Sequence, residues 1–265
     1  MLLPMTNDFD HIAVNYDASF THTPVGIYQR KLVFEALESQ IKDLEIRSVL
    51  ELNAGTGEDA LYFAKNAKEI ISTDIAENMV AQINSKIKNL NNADAQTLDI
   101  NKLNQEKFES KFDLIFSNFG GFNCLTKSEI TTFFKDAKAV LNQSSYICLV
   151  IMPRFCAWES LYFLSKINPR KAFRRRNRNG VSANVEGKDV KTYYYSTGDI
   201  SSIAKDFDVI ASAPIGFQIP PSYLNAHFAN KSEKLARFYK KDRKRLSKPR
   251  FSNAADHYFI CLKLK

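Results

Sequence analysis

Two spacings of apolar residues alternate along this chain. Over residues 24–43, PVGIYQRKLVFEALESQIKD, they recur three and four apart, behind a proline suited to a first helical turn, and predict a helix. Short apolar runs with strand character follow at Ser48–Leu52, Glu69–Asp74, Ala95–Asp99, Phe112–Ser117 and Tyr146–Met152. Between them, residues 58–67, 76–90 and 127–141 carry helical spacing. Strands that alternate with helices predict a parallel sheet covered on both faces and joined by right-handed crossovers.

This rhythm holds as far as residue 152 and then breaks. Residues 155–180 read as a basic amphipathic helical stretch, interrupted near Asn168-Pro169. Residues 190–196 read as a strand, 198–205 as a helix, 208–213 as a strand, 231–246 as a strongly basic helix and 257–264 as a closing strand.

Composition changes this picture little. Hydrophobic residues make up 45% and charged residues 25%, as in a soluble globular enzyme. The start, MLLPMTNDFD, lacks the basic and apolar regions of a secretory leader, and no apolar run is long enough to span a bilayer. A cytoplasmic location is the expectation. Cys124, Cys148, Cys156 and Cys261 form no CxxC pair and have no histidine at metal spacing, so reduced core cysteines and no metal are expected. Charge is more telling. The net +8 is concentrated in residues 154–180 and 231–250, with +7 and +8 respectively, and the remaining chain is negative. Arg174-Arg-Arg176 and the run Lys240–Arg245 suit phosphate, an anionic membrane or an acidic carrier protein; a solvated helix face is the plainer reading of either alone. Nucleic acid is a weaker candidate, since no RNA-binding module is recognisable.

Candidate chemistry sits in ELNAGTGED, residues 51–59, between a strand and a helix. Gly55 and Gly57 let backbone approach a ligand closely, and the helix start aims amides at it. Asp74 ends the next strand, where a carboxylate accepts both hydroxyls of a ribose. Glu58 and Asp59 stand where a dinucleotide's pyrophosphate would lie and would repel it. A ligand with a ribose and no phosphate fits better.

Five ordered stretches carry a resemblance. They are Val49-Leu-Glu-Leu-Asn-Ala-Gly-Thr-Gly57, Ile71-Ser-Thr-Asp-Ile-Ala-Glu-Asn-Met79, Leu98-Asp99-Ile100, Phe112-Asp-Leu-Ile-Phe-Ser-Asn118 and, upstream, the FDHIAVNYD segment ending at Asp17. Over residues 9–152 the chain resembles class I S-adenosylmethionine-dependent methyltransferases, of the small-molecule branch that includes ubiquinone- and biotin-pathway enzymes. The resemblance implies a Rossmann-like α/β fold: a seven-stranded, mostly parallel sheet, its last strand antiparallel, with helical cap insertions. It divides the chain into an N-terminal lid and cofactor core (1–153), a cap (154–195) and the end of the sheet (196–265) with a basic insertion (222–253).

It also implies the cofactor, S-adenosylmethionine, and a set of residues for it: Tyr16, Glu51, Asn53, Gly55, Gly57, Asp74, Ile75, Met79, Asp99, Ile100, Ser117 and Asn118. Asp94 competes with Asp99 for the third motif, and spacing to Phe112-Asp113 favours Asp99. Asn53 departs from the family, which has glycine there. Asn is the non-glycine residue most tolerant of the left-handed region, so it keeps the turn, and it either adds a hydrogen-bonding group or merely tolerates the geometry.

The acceptor is expected along Phe119, Phe122 and Asn123 after the fourth strand. That loop lacks the (D/N/S)-P-P-(Y/F) pattern of methylases acting on base amines. Trp158 and Tyr194 join this pocket as lid or wall, or else cement the cap and the core. His11 is the candidate base; His22 and His227 rank below it, and His257 reads as structural. A small, partly apolar acceptor such as a phenol, quinol-like ring or acyl chain, lipid- or carrier-linked, is the expected substrate. The rivals are an RNA methyltransferase, a cofactor-binding protein without turnover, or a nicotinamide enzyme.

Overall fold

The structure, a computed structural model, describes residues 17–185 and 188–265. Seven strands form one sheet: β1 (Ser48–Leu52), β2 (Glu69–Asp74), β3 (Ala93–Thr97), β4 (Phe112–Ser117), β5 (Leu141–Ile151), β8 (Phe207–Ile215) and β9 (His257–Leu264). Their order is β3-β2-β1-β4-β5-β9-β8. Pairing is parallel from β3 across to β5, and β9 runs antiparallel to both its neighbours. β6 (Val181–Val185) and β7 (Lys188–Thr192) make a separate antiparallel pair.

The sheet separates two apolar clusters, and alternation along each strand feeds both. On one face, Leu50 and Leu52 of β1 and Ile147, Leu149 and Ile151 of β5 pack with α4 (Lys127–Val140) and α7 (Thr197–Ile203), through Ile130, Phe133 and Ile200. On the other, Val49, Cys148 and Val150 meet α1 (Pro24–Ile41), α2 (Glu58–Phe63) and α3 (Glu77–Ile87), through Leu32, Phe63 and Ile83. Central β1 is buried at all five positions, whereas edge β3 is partly exposed and reads ADAQT. Burial on both faces is why the central strands lack a polar side in sequence.

In the parallel part of the sheet two strands differ from expectation, and the strand expected at 190–196 lies at Lys188–Thr192 as β7. β3 begins and ends two residues early, because Asp99 turns the chain: its carboxylate accepts the Asn101 amide and caps a short 3-10 helix, Ile100–Gln105. β5 begins at Leu141, five residues before its apolar run. Its first residue, Leu141, pairs with Phe112 ahead of an irregularity in the ladder, which no alternation signals.

After β5 come α5 (Ala157–Ser165), α6 (Pro169–Ala172), the β6–β7 pair and α7. After β8 come α8 (Asn225–Phe228) and α9 (Ser232–Arg243). α9 lies on α1, where Tyr239 stacks on Tyr28 at 5.1 Å and Arg243 meets Glu35 at 3.2 Å. Asp242 is buried on α9 and accepts the Gln218 and Ile219 amides, which fixes the bend leaving β8. Among the described residues no helix is long and apolar enough to cross a membrane.

Candidate active site

The carboxyl ends of β2, β1 and β4 meet where the strand order reverses direction, the crevice in which open α/β sheets bind ligands. The loop leaving β1 is held there by backbone geometry. Asn53, Gly55 and Gly57 have φ of 54°, 57° and 82°. Gly57 is doubly required, since a Cβ there would also lie 3.1 Å from the Ile83 side chain. Asn53 thus adopts the left-handed turn at a position where glycine is usual.

Asp74 joins this loop to β2. Its carboxylate accepts the Gly55 amide at 2.9 Å and the Ala76 amide at 3.0 Å, and its carbonyl accepts the Leu98 amide at 2.9 Å. Asp99 stands half-buried beside that junction, with Ile75 on the rim and Ile100 and Met79 buried beneath. Asp94, the competing acid, pairs with Ile71 midway along β3 and points to solvent. Glu51 is buried in β1 and accepts the Ser72 hydroxyl at 2.6 Å. Burial, and then the Asp59 carboxylate, push its carboxyl well above the usual carboxylate range.

The acids expected to repel a phosphate are committed elsewhere. Asp59 pairs with Arg30 of α1 and accepts the Asn118 amide group at 2.9 Å; Glu58 meets Lys86 at 2.6 Å. Their charge is matched by cations, so the repulsion argument is weaker than the sequence implies. Lys86 also holds Asp17 at 2.6 Å, and the Thr56 hydroxyl donates to the same carboxylate. Burial disfavours the Asp17 anion, but Lys86 and Thr56 outweigh it and hold its carboxyl below the usual range. The segment before α1 is thereby fastened to the glycine loop. His11 and Tyr16 lie outside the described residues.

The Asn53 side chain crosses from β1 to the β4 end. Its Nδ2 lies 3.5 Å from the Ser117 hydroxyl, and a Cβ on Gly121 would fall 1.9 Å from that nitrogen. The departure at Asn53 is therefore matched by the absence of a side chain at Gly121.

On the acceptor side, Phe119 has φ 42° and gathers Phe20 (centroids 5.0 Å), the Arg30 guanidinium (5.3 Å) and the His257 ring (5.5 Å). The other expected wall residues do not join it. Phe122 is 1% exposed and packs on Phe133 in the core, because the 3-10 turn Gly121–Cys124 rotates it beneath the sheet edge. Asn123 is fully buried and donates to the Met152 and Tyr193 carbonyls, tying the strand ends to the cap. Trp158 donates to the Gln218 carbonyl and lies against Phe228 and Phe238, so it joins the cap to the late insertion. Tyr194 is buried under the Arg175 guanidinium at 5.4 Å.

Residues 49–144 match the model of a family described as a methyltransferase domain. Over those residues the chain carries a methyltransferase domain. Among curated proteins, the non-reducing polyketide synthase prhL of Penicillium brasilianum is 28% identical over 136 residues, 48% of this chain and 5% of that protein. The chain thus spans a small part of the curated relatives it matches. Among solved structures, an S-adenosylmethionine-dependent methyltransferase from Clostridium acetobutylicum has TM-score 0.61 at 13% identity, covering 97% of this chain and 98% of its own. The CcbJ methyltransferase of Streptomyces caelestis has TM-score 0.62 at 14% identity, covering 98% of each. Likeness at that identity shows a shared fold.

Beside the methyltransferase crevice lies a charge network that sequence reasoning missed. Arg175, 5% exposed, reaches Glu159 of α5 at 3.1 Å and Asp256 at 2.7 Å, and Arg174 adds 2.8 Å to Glu159. Asp256 lies 3.2 Å from Nδ1 of His257 and accepts from Gln29 of α1. His257 opens β9, and because β9 is antiparallel its first residue sits at the carboxyl edge of the parallel strands. Only the Asp-His pair before the closing strand hinted at this; strand direction decides which edge it reaches.

Two expectations follow for stability. Gly121→Ala should lower it by about 1–3 kcal/mol through overlap with Asn53, and Asn53→Gly in the same chain should restore most of the loss in chemical denaturation. Burial alone would raise the Asp256 and Glu159 carboxyls, but His257 and Arg175 around the first, and Arg174 and Arg175 around the second, hold both below the usual range. Both therefore bind protons more weakly folded than unfolded. The stability they add is present above the unfolded-state pKa of about 4 and is lost as pH falls through and below it. The urea midpoint should drop below about pH 5 in the native chain and drop less steeply in Asp256→Asn.

Proposed function

We propose that this protein transfers a methyl group from S-adenosylmethionine to a small, partly apolar acceptor: a phenol, a quinol-like ring or an acyl chain, borne on a lipid or carrier. The same reading assigns it to small-molecule biosynthesis in the cytoplasm. One observation carries it: the Asp74 carboxylate, fixed by the Gly55 amide at the end of β2 with Asp99 beside it. A carboxylate so placed is suited to a ribose diol. The left-handed loop from Asn53 to Gly57 leaves backbone at the ligand's edge, and buried Met79 and Ile100 supply apolar floor.

When bound, the donor supplies a sulfonium methyl already activated for in-line displacement. The protein's part is to align the acceptor and exclude water, worth roughly 7–11 kcal/mol. Phe119, Phe20 and the Arg30 guanidinium offer an apolar wall with one cationic edge. An acceptor that carries a proton needs a base. His22 is mostly exposed against Glu58, and His227 is exposed beside Lys231. His257 is buried beside Phe119, its Nδ1 3.2 Å from the Asp256 carboxylate. Among the described histidines it is the one best placed to take that proton. The RNA reading is weakened, because Arg174 and Arg175 are engaged within the fold.

Calorimetry should show binding of S-adenosylhomocysteine and none of NAD, and Asp74→Ala should weaken the former by more than about tenfold. Preference for NAD, or unchanged affinity in the variant, rejects the reading. Transfer of radiolabelled methyl to a series of phenols should fall about a hundredfold or more in His257→Gln. The loss should shrink for phenols already ionised at neutral pH; equal loss across the series removes His257 as the base.

A further inference from the structure

The outer side of the cap is built unlike the rest of the surface. Of eight large apolar side chains exposed among the described residues, four lie within residues 161–173: Leu161 (68%), Leu164 (44%), Ile167 (91%) and Phe173 (38%). Scattered exposed leucines need no explanation, but a clustered set does. Residues 161–178 contain no acid, and Lys166, Arg170, Lys171, Arg176 and Arg178 of this stretch are all exposed. None of these five has an ion-pair partner among the described residues, although Lys171 and Arg176 lie over the rings of Phe163 and Phe173. Arg174 and Arg175, by contrast, turn inward to Glu159.

Ile167 is the most informative residue. It stands just past the end of α5 with φ 56°, and the following Asn168 amide returns to the Phe163 carbonyl at 2.9 Å. That closure normally takes glycine or asparagine, because a β-branched residue is strained in the left-handed region. Here the strained residue is also the most exposed large apolar one. Neither folding nor solubility gains from it, so its use lies in what covers it.

We infer that this ridge docks on an anionic lipid surface, with Leu161, Leu164 and Ile167 entering the headgroup boundary and Lys166, Arg170 and Arg178 meeting lipid phosphates. The inference extends the partner side of the reading above. A protruding apolar crest among cations has the pattern of an interfacial attachment. The inner side of α5 fixes what docking would orient: Glu159 clamps Arg174 and Arg175, and Arg175 reaches Asp256 beside His257. The docked ridge and the acceptor wall are thus joined through one short helix, an arrangement suited to an acceptor drawn from a bilayer.

Co-sedimentation of the full chain with vesicles of phosphatidylglycerol and phosphatidylcholine in equal parts tests this, with pure phosphatidylcholine as control. The chain should pellet with the anionic vesicles only and be released at about 0.5 M salt. Leu161→Asn with Leu164→Asn, and separately Lys166→Glu with Arg170→Glu, should each weaken binding about tenfold or more. Ile167→Asn should move two readouts in opposite directions: a higher melting temperature, as strain is relieved, and weaker vesicle binding. Failure to pellet, equal binding to neutral vesicles, unchanged binding in the variants, or capture by an acidic acyl carrier protein without vesicle binding overturns the inference. No methyl donor enters the assay, so it fails or succeeds apart from the catalytic reading.

Discussion

The bond from the Gly55 amide to the Asp74 carboxylate is the contact on which the site depends. It joins the loop after β1 to the end of β2, and it forms only because Asn53 and Gly55 turn left-handed within three residues. Gly57 then starts α2 with φ 82°, at a point where a Cβ would lie a tight 3.1 Å from Ile83 of α3. One turn therefore sets the position of the acid, the direction of the next helix and the width of the crevice. An ordinary residue at Gly57 would strain the backbone and press on Ile83 together.

Around that turn, charge is arranged in closed local pairs. Asp17 and Glu58 share Lys86, Asp59 holds Arg30 and Asn118, and Glu159 and Asp256 share Arg175. Lys86 joins α3 to α2 and to the segment before α1, Arg30 joins α1 to α2, and Arg175 joins the cap to the residue before β9. Buried pairs of this kind add little net stability but are costly to break, which suits a role in fixing geometry. Glu51 differs: burial and the facing Asp59 carboxylate hold its carboxyl well above the usual range. The basic segments, alike in composition, divide by the same logic. α9 sets Arg243 against Glu35, and the cap turns Arg174 and Arg175 inward while Arg170, Arg176 and Arg178 stay exposed.

The elements with a strong period were legible before any coordinates. β1, β2, β4 and β9 lie where the apolar runs place them, since a buried strand must be apolar along its length and a turn must carry residues that tolerate it. β3 was misplaced by two residues because its edge position lets it be polar. Asp99 still reaches the crevice, as a turn residue rather than a strand end. The acceptor side was read less well. Phe119 and Phe122 look equivalent in SNFGGFN, yet one 3-10 turn sends the second into the core.

What the chain alone determined is local: the helix and strand periods, the left-handed loop, the acid at the end of β2, and from these the methyltransferase domain. Those follow from interactions within a few residues, where spacing and residue type are sufficient. What the tertiary structure decided is which distant side chains meet. Antiparallel β9 brings His257 to Phe119, the cap brings Arg175 to Asp256, and Asn53 finds its room at Gly121. Such pairings leave no period to read, because they arise from the order and direction of strands, which only the folded sheet fixes.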